Sequence, residues 1–157
     1  MSAHPTQISQ PLASQELRAL FADHGLRATR QREAVYQQLR TTTAHPTADE
    51  LMAWVRESDP EISQATIYNT LDALVGCGLA RRIPSSNSGG ACMYDANTGE
   101  HVHIVLDDGR IMDVPMDLSQ AILDAVPDSV LKELAERAGI TLSGINIELT
   151  GQRLQSP

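Results

Sequence analysis

The residues best placed to do chemistry lie in one stretch: His101 and His103, separated by a valine, followed by Asp107, Asp108, Gly109 and then Asp113. Ile104, Val105 and Leu106 give the run strand character, and residues two apart in a strand point to one face, so both imidazoles face the same way. Asp107-Asp108-Gly109 reads as a three-residue hairpin loop with glycine at the left-handed position. That loop makes Leu106 oppose Arg110 and His103 oppose Asp113, and opposed residues share a face. A two-residue turn would instead pair Asp113 with Ile104 on the wrong side, so the site depends on register. Two imidazoles and a carboxylate suit Fe(II), Mn(II), Zn(II) or Ni(II). The competing account is a set of polar residues on the solvated side of a hairpin.

The rest of the chain must hold that hairpin. At 157 residues it is one ordinary domain or two small ones, and with 3% aromatic residues its core must be built from Leu, Ile, Val and Ala. No apolar run reaches the length of a membrane span, and Met1 to Ala13 lacks a signal-peptide pattern, which predicts a cytoplasmic protein with no membrane partner. Cys77 and Cys92 form no Cys-x-x-Cys pair, so neither a disulfide framework nor a thiolate zinc site is indicated. The net charge of -8 and pI near 4.9 argue against indiscriminate coating of nucleic acid. They leave room for a specific binder, because most of the arginines fall in the first half.

Residues 1–13, with Pro5 and Pro11 and no charge, read as a flexible arm. A first helix starts at Ser14, with Leu17, Leu20 and Phe21 at helical spacing. Thr29 can cap a second with Ala34, Val35 and Leu39 inward, and Thr47-Ala48-Asp49-Glu50 is a capping box that opens a third just after His45-Pro46. Ser63 opens a fourth, with Ile67, Leu71, Leu74 and Val75 on one face and Ala65, Thr66, Tyr68 and Asn69 on or beside the other. Two short strands, Gly78–Pro84 and Ala91–Asp95, flank the polar tip Ser85–Gly90. This is the plan of a winged helix-turn-helix. Arg27, Arg30, Ala65, Thr66, Tyr68, Asn69, Arg81 and Arg82 are then the candidate DNA contacts. After the metal hairpin, Met116–Ala138 reads as a helix broken near Pro127, and Thr141–Thr150 as a half-exposed strand with a bulge at Gly144. A small sheet under one helix cannot hide all its faces and edges, so a homodimer reading a palindromic operator is expected. The whole is an α+β chain: arm 1–13, winged-helix domain 14–95, hinge 96–99, a small α/β metal-binding and dimerisation domain 100–151, tail 152–157.

Leu26–Val35, His45–Leu51, Ile62–Leu71, Tyr94-Asp95, His101-Val102-His103 and the stretch from Gly139 to Gly151 together resemble the ferric uptake regulator superfamily over roughly residues 14–151. The resemblance implies a metal-dependent DNA-binding transcriptional repressor rather than an enzyme, with a regulatory site of His45, Asp95, His101, His103 and Asp113. Aspartate at both carboxylate positions and Asn69 after Tyr68 look most like its peroxide-sensing branch. There Fe(II) or Mn(II) occupies the site, Zn(II) can substitute, and Fe(II)-dependent oxidation of a ligating histidine releases DNA; His45 and His101 are the candidates. Most relatives carry a structural zinc on two Cys-x-x-Cys pairs, but here Leu106-Asp107-Asp108-Gly109 stands in place of the first and no cysteine follows Gly151, so no structural zinc held by four cysteines is expected. The alternatives are an iron- or metal-uptake regulator of the same fold and, from another class, a small cupin-like metal dioxygenase, which needs a later histidine than His103.

Overall fold

A computed structural model describes residues 10–84 and 91–154. The expected arm up to residue 9, the Ser85–Gly90 tip and the last three tail residues lie outside them. The chain forms two compact units, one ending at Thr98 and the next beginning at Gly99.

The first unit holds four helices and a hairpin: α1 (Ser14–Asp23), α2 (Arg30–Thr41), α3 (Ala48–Arg56), α4 (Gln64–Gly76), β1 (Arg81–Ile83) and β2 (Met93–Asp95). Their starts are set by local chemistry. The Thr29 hydroxyl accepts from the Arg32 amide, Thr47 and Glu50 form the reciprocal capping box, and Ser63 accepts from the Thr66 amide. Each cap satisfies an amide that the first helical turn leaves without an intrahelical partner. Behind the caps the apolar stripes meet: Leu17, Phe21, Val35, Leu39, Leu51, Val55, Ile67, Leu71 and Leu74 are buried in one cluster. Tyr36 joins it, edge-on to Phe21 with ring centroids 5.5 Å apart. Ala34, expected on the inner stripe, is only half-buried, because the stripe turns toward Tyr36. Within the span expected to be an arm, Leu12 packs on this cluster and its carbonyl accepts from Gln37 Nε2 at 2.9 Å.

The second unit is a three-stranded sheet in the order β4-β3-β5 with two helices: β3 (His103–Leu106), β4 (Ile111–Asp113), α5 (Met116–Asp124), α6 (Asp128–Ala138) and β5 (Glu148–Gly151). The helix break near Pro127 is present. The strand expected over 141–150 is shorter than its alternation suggests, with only Glu148–Gly151 pairing, parallel to β3. The bulge expected at Gly144 is replaced by a close approach. A Cβ there would meet Glu100 Oε1 at 3.0 Å, and that carboxylate accepts from the Ile145 amide at 3.4 Å. A three-stranded sheet is also far from the many-stranded barrel a cupin-like dioxygenase requires. Along α5 and α6, Leu118, Val130 and Leu134 are more than half exposed.

Candidate metal centre and nucleic-acid face

The β3–β4 hairpin carries the centre of the second unit. Its loop is the three-residue form: the Leu106 amide donates to the Arg110 carbonyl at 2.8 Å, the Gly109 amide to the Leu106 carbonyl at 2.9 Å, and Gly109 sits at φ +83°. The Arg110 guanidinium donates to the Asp108 carboxylate at 2.7 Å and holds it at a pKa of about 2, so the loop tip stays an ion pair across ordinary pH. This loop fixes the pairing His103↔Asp113, Ile104↔Met112, Val105↔Ile111. Leu106 and Arg110 form a hydrogen-bonded pair, so His103 and Asp113 fall at a non-hydrogen-bonded position, where opposed side chains lie closest.

The register brings three donors together. Asp113 Oδ1 is 3.1 Å from His101 Nε2 and 3.4 Å from His103 Nε2, and the imidazole centroids are 4.3 Å apart. Both histidines are buried and Asp113 nearly so. His101 Nδ1 donates to the Gly99 carbonyl at 2.8 Å, which directs Nε2 at the carboxylate. Two imidazole nitrogens converging on one carboxylate oxygen in a buried space call for positive charge there, supplied by a proton or a metal ion. Metal bonds of about 2.1 Å put adjacent donors roughly 3.0–3.4 Å apart in octahedral or tetrahedral arrangements, the spacing found here. The residues therefore fit a divalent cation of the first transition row, and the Gly99 contact is the kind of outer partner that orients a ligating imidazole.

In the first unit, His45 and Asp95 are both buried and share one junction. His45 precedes Pro46, whose carbonyl accepts from the Tyr94 amide at 2.9 Å, and Thr47 bridges to Met93, so the loop before α3 is stitched to β2. Asp95 ends β2. Its Oδ2 accepts from Nε and Nη2 of Arg81, each at 3.3 Å, across the β1–β2 pair, and its Oδ1 accepts from the Asn97 amide at 2.7 Å.

The expected DNA contacts fall on the exposed side of α4 and around it. Ala65, Tyr68 and Asn69 are exposed and Thr66 half-exposed, while Arg27 and Arg30 are exposed near the start of α2. A polar cleft of about 310 Å³ joins these elements, lined by Arg27, Thr29, Gln31, Arg32, Thr66 and Asn69 among others. Thr29, Gln31 and Arg32 are not among the DNA contacts expected from the sequence, although their proximity to Arg27 along the chain was a usable signal. On the hairpin, exposed Arg82 pairs with Asp72, whereas Arg81 is half-buried against Asp95. Ser119 and the Gly99 carbonyl, both tied to the histidine segment, carry no sequence signal at all.

The ferric uptake regulator family model matches residues 23–150. The chain belongs to that family, whose members are metal-responsive DNA-binding regulators. It is similar to the peroxide-responsive repressor PerR of Staphylococcus epidermidis, 35% identical over 114 residues that cover 72% of this chain and 73% of that protein. The PerR of Staphylococcus aureus strain Mu50 is 37% identical over 90 residues, covering 57% of this chain and 60% of that one. Among solved structures, a Pseudomonas aeruginosa ferric uptake regulator with manganese superposes with a TM-score of 0.64 at 24% identity, covering 88% of this chain and 98% of that one. A Campylobacter jejuni peroxide stress regulator gives 0.62 at 23%, covering 91% and 97%. The shared fold is an N-terminal winged-helix domain followed by a smaller α/β domain.

Proposed function

We propose that the protein is a homodimeric transcriptional repressor that binds a palindromic DNA operator when a divalent metal occupies the site built on His101, His103 and Asp113. His45 and Asp95, at the family's remaining ligand positions, complete the coordination. The observation that carries this reading is the pairing of His103 with Asp113, which collects two imidazoles and a carboxylate on one buried face of the hairpin. The exposed Leu118, Val130 and Leu134 supply apolar surface for a second copy. Arg27, Arg30, Arg81 and Arg82 supply phosphate contacts, and Ala65, Thr66, Tyr68 and Asn69 face base edges.

Donors of nitrogen and oxygen only, together with the similarity to the staphylococcal repressors, support peroxide as the signal. Fe(II), when bound, supplies the redox chemistry by which hydrogen peroxide adds one oxygen atom to a ligating histidine, His45 or His101, the other peroxide oxygen leaving as water. Mn(II) and Zn(II) fit the same donors without that chemistry. Retention of operator DNA as Mn(II) is titrated tests the regulator: a metal-dependent rise in sequence-specific binding is expected, and binding indifferent to metal would sink the reading. Mass spectrometry after peroxide treatment of the Fe(II) form separates the two signals. A gain of one oxygen on His45 or His101 supports peroxide, and unmodified histidines leave a regulator of metal uptake.

A further inference from the structure

The side chain on α5 with no solvent exposure is Ser119. On a helix otherwise carrying Leu118, Ile122 and Leu123, the innermost position would ordinarily be apolar, and a buried hydroxyl needs a polar partner to offset its desolvation. That partner is the Val102 amide, which donates to Ser119 Oγ at 2.7 Å. Val102 lies between the two ligand-forming histidines.

The ladder explains the need for this bond. The register that opposes His103 to Asp113 makes Val102 and Val114 the next pair, and it has hydrogen-bonding parity with Leu106 and Arg110. Such a pair normally exchanges two bonds. Here only one forms within the sheet: the Val114 amide donates to the Val102 carbonyl at 2.9 Å. Pro115 then turns the chain into α5, and the acceptor for the Val102 amide is the serine hydroxyl in place of the Val114 carbonyl. Ser119 thus closes the last rung of the sheet from outside it. Val102, the residue that sets the separation and direction of His101 and His103, is gripped at both its amide and its carbonyl.

We propose that Ser119 is a positioning residue of the metal centre. Its hydroxyl holds the backbone between the two imidazoles so that both Nε2 atoms reach the Asp113 oxygen, and it ties the order of the ligand segment to α5. The proposal rests on the metal-centre reading and deepens it. Removing the acceptor leaves a buried amide unsatisfied or lets the His101 segment fray, and either outcome misplaces a ligand. Loss of an outer partner of a metal site typically costs about 10–100-fold in affinity.

The test compares wild type, Ser119→Ala and Ser119→Thr, with His103→Ala as a ligand-loss control. Mn(II) affinity is measured by calorimetry, ligand geometry by the visible spectrum of the Co(II) form, and the rung itself by hydrogen exchange at the Val102 amide in the metal-free protein. Ser119→Ala should weaken Mn(II) binding about 10–100-fold, alter the Co(II) bands and deprotect the Val102 amide. Ser119→Thr, which keeps the hydroxyl, should restore the wild-type Co(II) bands and Val102 protection. An alanine variant with wild-type affinity and spectrum overturns the proposal, as does an unprotected Val102 amide in wild type. Should the alanine variant not fold, Val102 protection in wild type together with rescue by threonine supports the proposal, and their absence overturns it. If wild type itself fails to bind Mn(II), the metal-centre reading fails instead, a result distinct from loss in the serine variants alone.

Discussion

Gly109→Val places two costs in competition, and their sizes decide the outcome. Gly109 sits at φ +83°, where a residue with a Cβ is strained by about 1–2 kcal/mol and a β-branched one by no less. The hairpin can bear that strain, or it can slip to a shorter loop in which Asp113 faces Ile104. A one-residue slip of β4 against β3, which β5 holds on its other edge, turns the buried Ile111 and Val114 toward the opposite face, and exposing each costs about 1.5–3 kcal/mol. Slipping is the dearer path, so the strain is borne and the register kept. The expected result is a fall of about 1–2 kcal/mol in unfolding free energy by urea denaturation, with Mn(II) affinity by calorimetry within about threefold of wild type. Gly109→Asn should lose less than half as much stability, because asparagine tolerates the left-handed region. An equally stable valine variant, or one that loses metal affinity in step with stability, would refute the reasoning, since the second result means that the strand has slipped.

Thr47→Ala removes the capping box that anchors the loop carrying His45, and should cost about 1 kcal/mol in a denaturant melt; no change would show that the Pro46–Tyr94 contact alone holds the loop. Leu71→Ala, at the centre of the first unit's core, should lower unfolding free energy by about 2–5 kcal/mol, measured by urea titration followed by circular dichroism. Arg82→Gln, at an exposed residue that pairs with Asp72 and bonds the Tyr94 side chain across the strand pair, should leave stability within about 0.5 kcal/mol and lower the salt slope of operator binding by about one; an unchanged slope places Arg82 off the phosphate backbone.

The parts of this chain that were legible beforehand are those where short-range chemistry decides. Thr29, Thr47 and Ser63 cap the helices they announce, and Gly109 specifies a loop whose length fixes the opposition of His103 and Asp113. Less could be read where a residue's role depends on a partner far along the chain. The alternation over Thr141–Thr150 suggested a full strand, yet its first half pairs with nothing in the sheet and is shaped instead by Glu100 reaching Ile145. Ser119 looks like any helix serine until the sheet's unfinished rung appears beside it. Arg81 and Arg82 are adjacent and chemically identical, but strand alternation sends one to Asp95 and the other to Asp72.

The grip of Arg81 on Asp95 has a consequence of its own. An oxygen that shares electron density with a divalent ion has less to offer a guanidinium, so if Asp95 serves as the ligand proposed here, filling the centre slackens the hold on Arg81. The arginine's charge then becomes more available to a phosphate. One carboxylate shared by two cations would act as a balance arm, its hold on the arginine loosening as the other side fills.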